Sequence, residues 1–391
     1  MKNTGNNIGI INGLRGFAIL AVIYHHMFFG YTGPGTHSLE IANLTIFPLT
    51  YLSNGWLGVN LFFILSGFVL AYPYLLGKRA FDTGSDIKSF YFHRSKRLLP
   101  LYYISSVISI IFIVHHPDSA VAFAKELFFL ITATFNFTGE TYFPRYNWLL
   151  WSLGIEIWFS ILFPFIIMAI KKYGLINTLF FILILSLITR IIGNNEIFDI
   201  GIPIINPVKD SILGRLDEFA WGILLCHIYI HKIHKLSVFN TWSAFFAGII
   251  LITTACMMWD AYRLHSLARG FIPFINIILD LGFVLFAMSL LAMKENVIKW
   301  TFSNYLIQLF GVMCYSLYVW HGVAIKTFVD SYDFAHIASY FVLLFVLAAL
   351  SYRYIEFGHL SDTRKLFLLK SNTSPKVNSA SKKRKEAIGS A

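Results

Sequence analysis

The chain has 391 residues, 57% of them hydrophobic and 13% charged, with a formal net charge of +11. Soluble globular domains carry about a quarter charged residues, and here apolar runs of roughly 20 residues, the length a bilayer demands, recur along nearly the whole chain. These features exclude an ordinary soluble enzyme, and a transmembrane β-barrel would instead alternate in segments of about ten residues.

The first apolar run, 9–29, contains LRGFAILAVIYHH, with Arg15 near one end and His25 and His26 near the other. No small-residue cleavage site follows, so it reads as a retained first span rather than a signal peptide. Further spans are predicted at 54–76, 99–115, 148–170, 175–193, 211–231, 240–258, 272–293, 304–325 and 337–356. Lys125 and Glu126 interrupt 119–137, which reads as an outer or re-entrant segment. The expected fold is an all-α, polytopic transmembrane helix bundle of about ten spans. With the N-terminus inside, inner segments hold 21 of the 31 Lys and Arg, outer segments seven (counting Arg190 at the outer end of its span), and the rest of the spans three. The positive-inside rule then places both termini in the cytoplasm. A membrane domain over 1–360 is followed by a basic tail, 361–391, polar and low in complexity, expected to be disordered. Its KKRK at 382–385 suits anionic lipid, and no nucleic-acid partner is expected. Cys226, Cys256 and Cys314 all lie in apolar runs, without disulfide or metal-site spacing.

Ionisable groups inside spans are expensive and mark function by default. Arg15 and His26 are eleven residues apart, three helical turns plus about 20°, so they share one face about 16 Å apart along the axis; His25 is about 80° away. His26 is therefore the candidate of the pair. Arg94 and Arg97 in FYFHRSKRLLPLYY are i and i+3, placed by the sequence in the most basic inner loop. Guanidinium groups there suit the phosphates of a ligand. Glu156 lies about 12 Å inside the fourth span with no cationic neighbour in its own helix, so its partner must come from another span. Arg215 either pairs with Glu218 or lines the bundle. Arg353 and Glu356, at the same spacing, read as a neutralising helix-surface pair. Asp280 has no local partner. In HIYIHKIH, His227, His231 and His234 align on a helix face, but they lack an acidic partner, so no metal site is expected.

Seven segments in order carry a resemblance: NGLRGFAILAVIYHH, GWLGVNLFFILSGFVL, HRSKRLLPLYY, WSLGIEIWFSILFP, RLDEFAWGIL, YSLYVWHGV and SYRYIEFGH. Together they resemble the acyltransferase-3 family of integral membrane acyltransferases. The resemblance implies ten membrane helices in a bacterial inner (plasma) membrane. It also implies transfer of an acyl group, usually acetyl from acetyl-CoA, to a glycan or lipid-linked sugar at the extracytoplasmic side. The family's Arg-x10-His pair is matched by Arg15 and His26, its RxxR motif by Arg94 and Arg97, and its glutamate by Glu156. No esterase-like domain follows in this sequence, so the stand-alone form is expected, and IEFGH departs from the family's usual ending.

Residues and resemblance converge on one expectation. Arg94 and Arg97 hold acyl-CoA phosphates, His26 is general base or, second, acyl carrier, and Glu156 orients His26. Arg15 serves either a CoA phosphate or a developing oxyanion, and His25, Arg215 and His321 line the bundle. The donor is a substrate, and no tightly bound cofactor is expected. The oligomeric state and the acceptor stay open. A secondary transporter or flippase also explains intramembrane charge; the absence of internal repeats and the RxxR pair speak against it.

Overall fold

The computed structural model describes residues 4–32, 39–41, 44–46, 49–112, 119–200, 205–233, 236–328, 333–360 and 366–368. Its helices are α1 (Thr4–Thr32), α2 (Thr50–Ser53), α3 (Gly58–Leu75), α4 (Gly84–Phe112), α5 (Ala120–Thr132), α6 (Leu150–Tyr173) and α7 (Leu175–Gly193). There follow α8 (Leu216–His231), α9 (Val238–Arg263), α10 (Ile272–Ala292), α11 (Val297–Ser303), α12 (Tyr305–Val312), α13 (Cys314–Phe328) and α14 (Phe334–Ser351), which runs into a π-helical turn, Tyr352–Glu356. A short antiparallel pair, β1 (Leu39–Ile41) and β2 (Leu44–Ile46), is the one addition to the all-α expectation among the described residues. Inner and outer below follow the charge asymmetry of the sequence.

Among the described residues, seven helices are long and apolar enough to cross a membrane. They match the sequence-derived spans that begin near 9, 54, 148, 175, 240, 272 and 337. The expected span 304–325 is α12 and α13, bent by 75° at a short break. Irregular backbone at membrane depth is tolerated where it lines a cavity, and the break does so, as described below. The two remaining expected spans differ from the sequence reading. The span 99–115 is the outer half of α4, whose first four turns occupy what the sequence suggested was an inner loop; 113–115 lie outside the described residues. The span 211–231 is helical only from Leu216, because 205–215 form turns closed by side chains: Asn206 takes the amides of Val208 and Lys209, and Asp210 takes Arg215. At 13 residues, α5 is about 20 Å long, too short to cross. The tail 371–391, expected to be disordered, lies outside the described residues.

Two close crossings position the interior. Gly67 and Gly222 are reciprocal: a Cβ on Gly67 would lie 2.2 Å from the Phe219 carbonyl, and one on Gly222 would lie 1.9 Å from that of Ile64. The glycines let α3 and α8 touch backbone to backbone, as small residues do between membrane helices. That contact brings Asn60 of α3 within 3.1 Å of Glu218 of α8. In the same way Gly311 of α12 abuts the Asn12 carbonyl, where a Cβ would lie at 1.7 Å, so α1 is clamped against the broken span. Arg15 and His26 of α1 thereby face the residues of α13.

Candidate active site

Two cavities lie along the face of α1 that carries Arg15 and His26. The inner one, about 50 Å³, is lined by Arg15, Ser66, Arg97, Glu156, Cys314 and Tyr315, among others. The outer one, about 400 Å³, is lined by His25, His26, Trp56, Trp148 and Trp151, among others. Val59 and Tyr318 line both and form the partition between them.

Helical periodicity puts Arg15 and His26 on one face, and the structure gives each its own compartment. Glu156 receives its partner from another helix: Arg94 Nη2 lies 2.6 Å from its Oε1, and Ser66 Oγ donates to the same oxygen at 3.3 Å. Arg94 Nε also donates to Ser160 Oγ at 2.9 Å. Arg15 and Arg97 complete a ring of three guanidinium groups acting on this carboxylate.

This arrangement corrects two expectations. Arg94 and Arg97 do share a helical turn, but the turn belongs to α4 rather than to an inner loop: Arg94 lies ten residues into the helix, about 15 Å along it, with a side chain only 10% exposed. An arginine already neutralised by a buried carboxylate is poorly placed as a superficial phosphate clamp. Nor is Glu156 hydrogen-bonded to His26: its Oε1 takes Arg94 and Ser66, and the two residues line different cavities. Gly67 is the close-packing residue of its pair, while Ser66 serves the carboxylate.

His26 is oriented by His321 instead. His26 Nδ1 lies 3.0 Å from His321 Nε2, with the two ring planes 15° apart. On its far side His321 Nδ1 lies 2.7 Å from the Tyr318 backbone oxygen. A carbonyl oxygen only accepts, so His321 carries its proton on Nδ1 and presents a lone pair at Nε2. His26 must then donate from Nδ1, which leaves its Nε2 as the free base. The chain fixes the tautomer of a half-buried histidine at the wall of the outer cavity, as the second hydrogen bond of a catalytic histidine commonly does. Trp148 packs edge-on against His26, ring centroids 4.7 Å apart. His321, fully buried, was legible only as bundle-lining; nothing local in YSLYVWHGV shows that it reaches α1.

Arg215 pairs with Glu218, Nη1 to Oε1 at 2.9 Å, within a larger buried network. Asp210 takes Arg215 through Nε and Nη2 at 2.9 and 2.6 Å, and Arg190 bonds Asp217. Asn60 bridges Glu218 and Asp280 at 3.1 and 3.5 Å, giving Asp280 the partner that its own helix lacks. Oxygens of Asp217, Glu218 and Asp280 lie within 4.8 Å of one another. Two of these carboxylates already take arginines, so the trio is the acidic side of an ion-pair network. The network backs the outer cavity, since the Arg215 guanidinium lies 5.5 Å from the Trp151 ring centre.

Arg353 and Glu356 do not form the expected surface pair. The π turn closes i to i+5, which alters the i, i+3 alignment, and Glu356 is buried and takes Ser316 Oγ at 2.5 Å. His227 and His231 stand with ring centroids 4.6 Å apart; His234 lies outside the described residues.

Comparison with known proteins now bears on this geometry. The profile of a family described as an acyltransferase domain matches residues 8–353. A Staphylococcus aureus (strain COL) protein named "Putative O-acetyltransferase SACOL0978" is 28% identical over 380 residues. The O-acetyltransferase OatA of S. aureus (strain NCTC 8325 / PS 47) is 25% identical over 371. In both cases 88% of this chain aligns to 56% of the relative, so the chain spans little more than half the length of the relatives it matches. No solved structure matches it.

Proposed function

The chain belongs to the acyltransferase-3 family of multi-pass membrane proteins, and on that premise we propose that it is a membrane O-acetyltransferase. It moves an acetyl group from cytoplasmic acetyl-CoA to a hydroxyl of an extracytoplasmic glycan in a bacterial inner membrane. The observation that carries this reading is the relay from the Tyr318 carbonyl through His321 to His26, which leaves Nε2 of His26 basic at the wall of a roomy outer cavity.

The chemistry follows from that lone pair. His26 Nε2 takes the proton of the acceptor hydroxyl as its oxygen attacks the thioester carbonyl. The C–S bond breaks, the thiolate of CoA leaves, and the proton on His26 passes to the sulfur. Ester and free CoA are the products. The donor enters from the inner side, where Arg15 and Arg97 line the narrow cavity and meet its phosphates or the polar pantetheine arm. Arg15 is about 16 Å from His26 along α1, so it suits the donor better than an oxyanion beside His26. Glu156 and Arg94 hold the inner cavity's charges in place.

The test is mass spectrometry of surface glycans from cells carrying wild type, His26→Ala or no protein, paired with release of free CoA by the purified protein in proteoliposomes. An acetyl increment and CoA release, both lost with His26→Ala, are expected. CoA release unaffected by His26→Ala would remove His26 from the reaction, and absence of acetyl-CoA turnover by the wild type would overturn the enzyme reading.

A further inference from the structure

In the acetyl-transfer reading the donor is held beside Arg15 and Arg97 while the base stands beyond the partition, so the thioester must cross it. Four helices place that partition at one level. On α1, one face runs from Arg15 through Ala18 and Val22 to His26. A Cβ on Gly58 of α3 would lie 2.7 Å from the Ala18 carbonyl oxygen and 3.0 Å from Val22 Cγ2, so the first turn of α3 crosses α1 between Arg15 and His26. Val59 is the next residue along. On α13, Tyr318 is four residues beyond Cys314, which lines the inner cavity, and three short of His321. On α6, Ser152 lines the inner cavity and its neighbour Trp151 the outer one, and Ser152 Oγ donates to the Tyr318 hydroxyl at 2.6 Å.

Neither side chain of the partition swings freely. The Tyr318 hydroxyl is tethered a second time, to the Leu149 carbonyl at 3.1 Å, and its ring meets Phe62 of α3 edge-on with centroids 6.4 Å apart. Val59 is buried and β-branched, and a helical valine is held near one χ1 rotamer. The backbone behind it has no slack toward α1, since Gly58 already touches that helix. A close-packed wall of this kind registers a single methyl group.

We propose that Val59 is a donor-specificity residue: the thioester passes between Val59 and the Tyr318 ring, and the passage admits straight acyl groups while refusing those branched at the carbon beside the carbonyl. The proposal rests on the acetyl-transfer reading and adds to it the shape of acyl group that the protein accepts. The thioester end of the pantetheine arm is itself a straight chain, so a straight acyl group ahead of it fits wherever the arm fits. A branch adds one methyl group at the level of the stiff γ-methyls of Val59. The bonds made and broken are those of the acetyl transfer already described.

The experiment uses the full chain in proteoliposomes, with acyl-CoA inside and envelope glycan from cells lacking the protein outside, and counts acyl esters on the glycan. Butyryl-CoA and isobutyryl-CoA are isomers, so their rate ratio at saturating donor reads shape. Wild type is expected to transfer butyryl about tenfold faster than isobutyryl, the scale on which a pocket weighs one methyl group. Val59→Ala is expected to bring the two rates within about twofold, and Val59→Ile to widen the gap beyond that of wild type. Equal rates in wild type, or a ratio that neither variant moves, would overturn the proposal. So would a wild type that uses acetyl-CoA but refuses butyryl-CoA, because a straight chain would then be excluded. Failure of the wild type to transfer acetyl from acetyl-CoA would instead sink the acetyl-transfer reading on which the passage rests.

Discussion

The two cavities that share Val59 and Tyr318 are built on opposite principles. The inner one sets a few charges among apolar walls: Glu156 pairs with Arg94, and Arg15 and Arg97 stand close by. The outer one is larger and walled by three tryptophans, with histidine as its chemical equipment. Opposite charges inside a membrane close on each other, since leaving one unpaired costs several kcal/mol. Neutral imidazoles impose no such collapse, so a base can face open space. The difference teaches why the family's arginine and histidine, though on one helix face, serve different substrates in this reading: the inner end manages charge, the outer end holds a proton acceptor beside room for an acceptor molecule.

The largest expected effect tests the outer half. His321→Leu removes the acceptor for His26 Nδ1–H and frees the tautomer, and transfer is expected to fall about 100-fold, within the range of general-base contributions. His321→Gln, whose amide oxygen reaches the position of Nε2, is expected to restore most of that rate. Nitrogen-15 chemical shifts of His26 should report a single Nδ1–H tautomer in wild type and a mixture in the leucine variant. Equal rates in both variants would detach His321 from the reaction.

Next comes the inner half. Arg94→Leu takes from Glu156 its direct ion pair and is expected to cost about 3 kcal/mol in detergent unfolding, the lower end for breaking a buried pair, because Arg15 and Arg97 stay close by and Glu156 keeps some exposure. The double variant Arg94→Leu with Glu156→Gln is expected to recover most of the loss. If it does not, the inner charges act through something other than mutual compensation.

A smaller effect is expected at the partition. Tyr318→Phe keeps the ring but removes the hydroxyl that takes Ser152 at 2.6 Å and donates to the Leu149 carbonyl at 3.1 Å. About 1 kcal/mol of stability is expected to go, with transfer within about threefold of wild type. Loss of transfer would mean that the hydroxyl takes part in the chemistry, and that the wall is more than a wall.

The smallest effect sets the scale for a pair outside the bundle. Arg269 grips Asp199 through Nη1 and Nη2 at 2.7 and 2.8 Å and holds its carboxyl below the ordinary 3.8. A lowered native pKa stabilises above the unfolded value and ceases to do so as pH falls through the native one. The stability difference between wild type and Asp199→Asn is therefore expected to be small at pH 7 and to vanish only as pH falls through the lowered native value, which lies under 3.8. A large difference at neutral pH would show that exposed pairs matter as much as buried ones here.

Much of this protein was determined by the sequence alone. Run length and charge asymmetry yield the polytopic helical class, and seven spans fall within a few residues of their expected positions. The eleven-residue spacing puts Arg15 and His26 on one face, because helical periodicity is a local property of the chain. The cost of burying ionisable groups picks out Glu156, Arg215 and Asp280 without any knowledge of neighbours. Tertiary structure alone decided which helix answers each of them. Glu156 takes Arg94 of α4, Asp280 takes Asn60 of α3, and His26 takes His321 of α13. Helix crossings set those pairings. Close approaches at Gly67, Gly222 and Gly311 fix which side chains meet, and no spacing within one helix encodes them. The pairing of Arg94 is a tertiary matter too: hydropathy sees charge and reads a loop, whereas α4 continues through the basic stretch and meets the carboxylate of its neighbour.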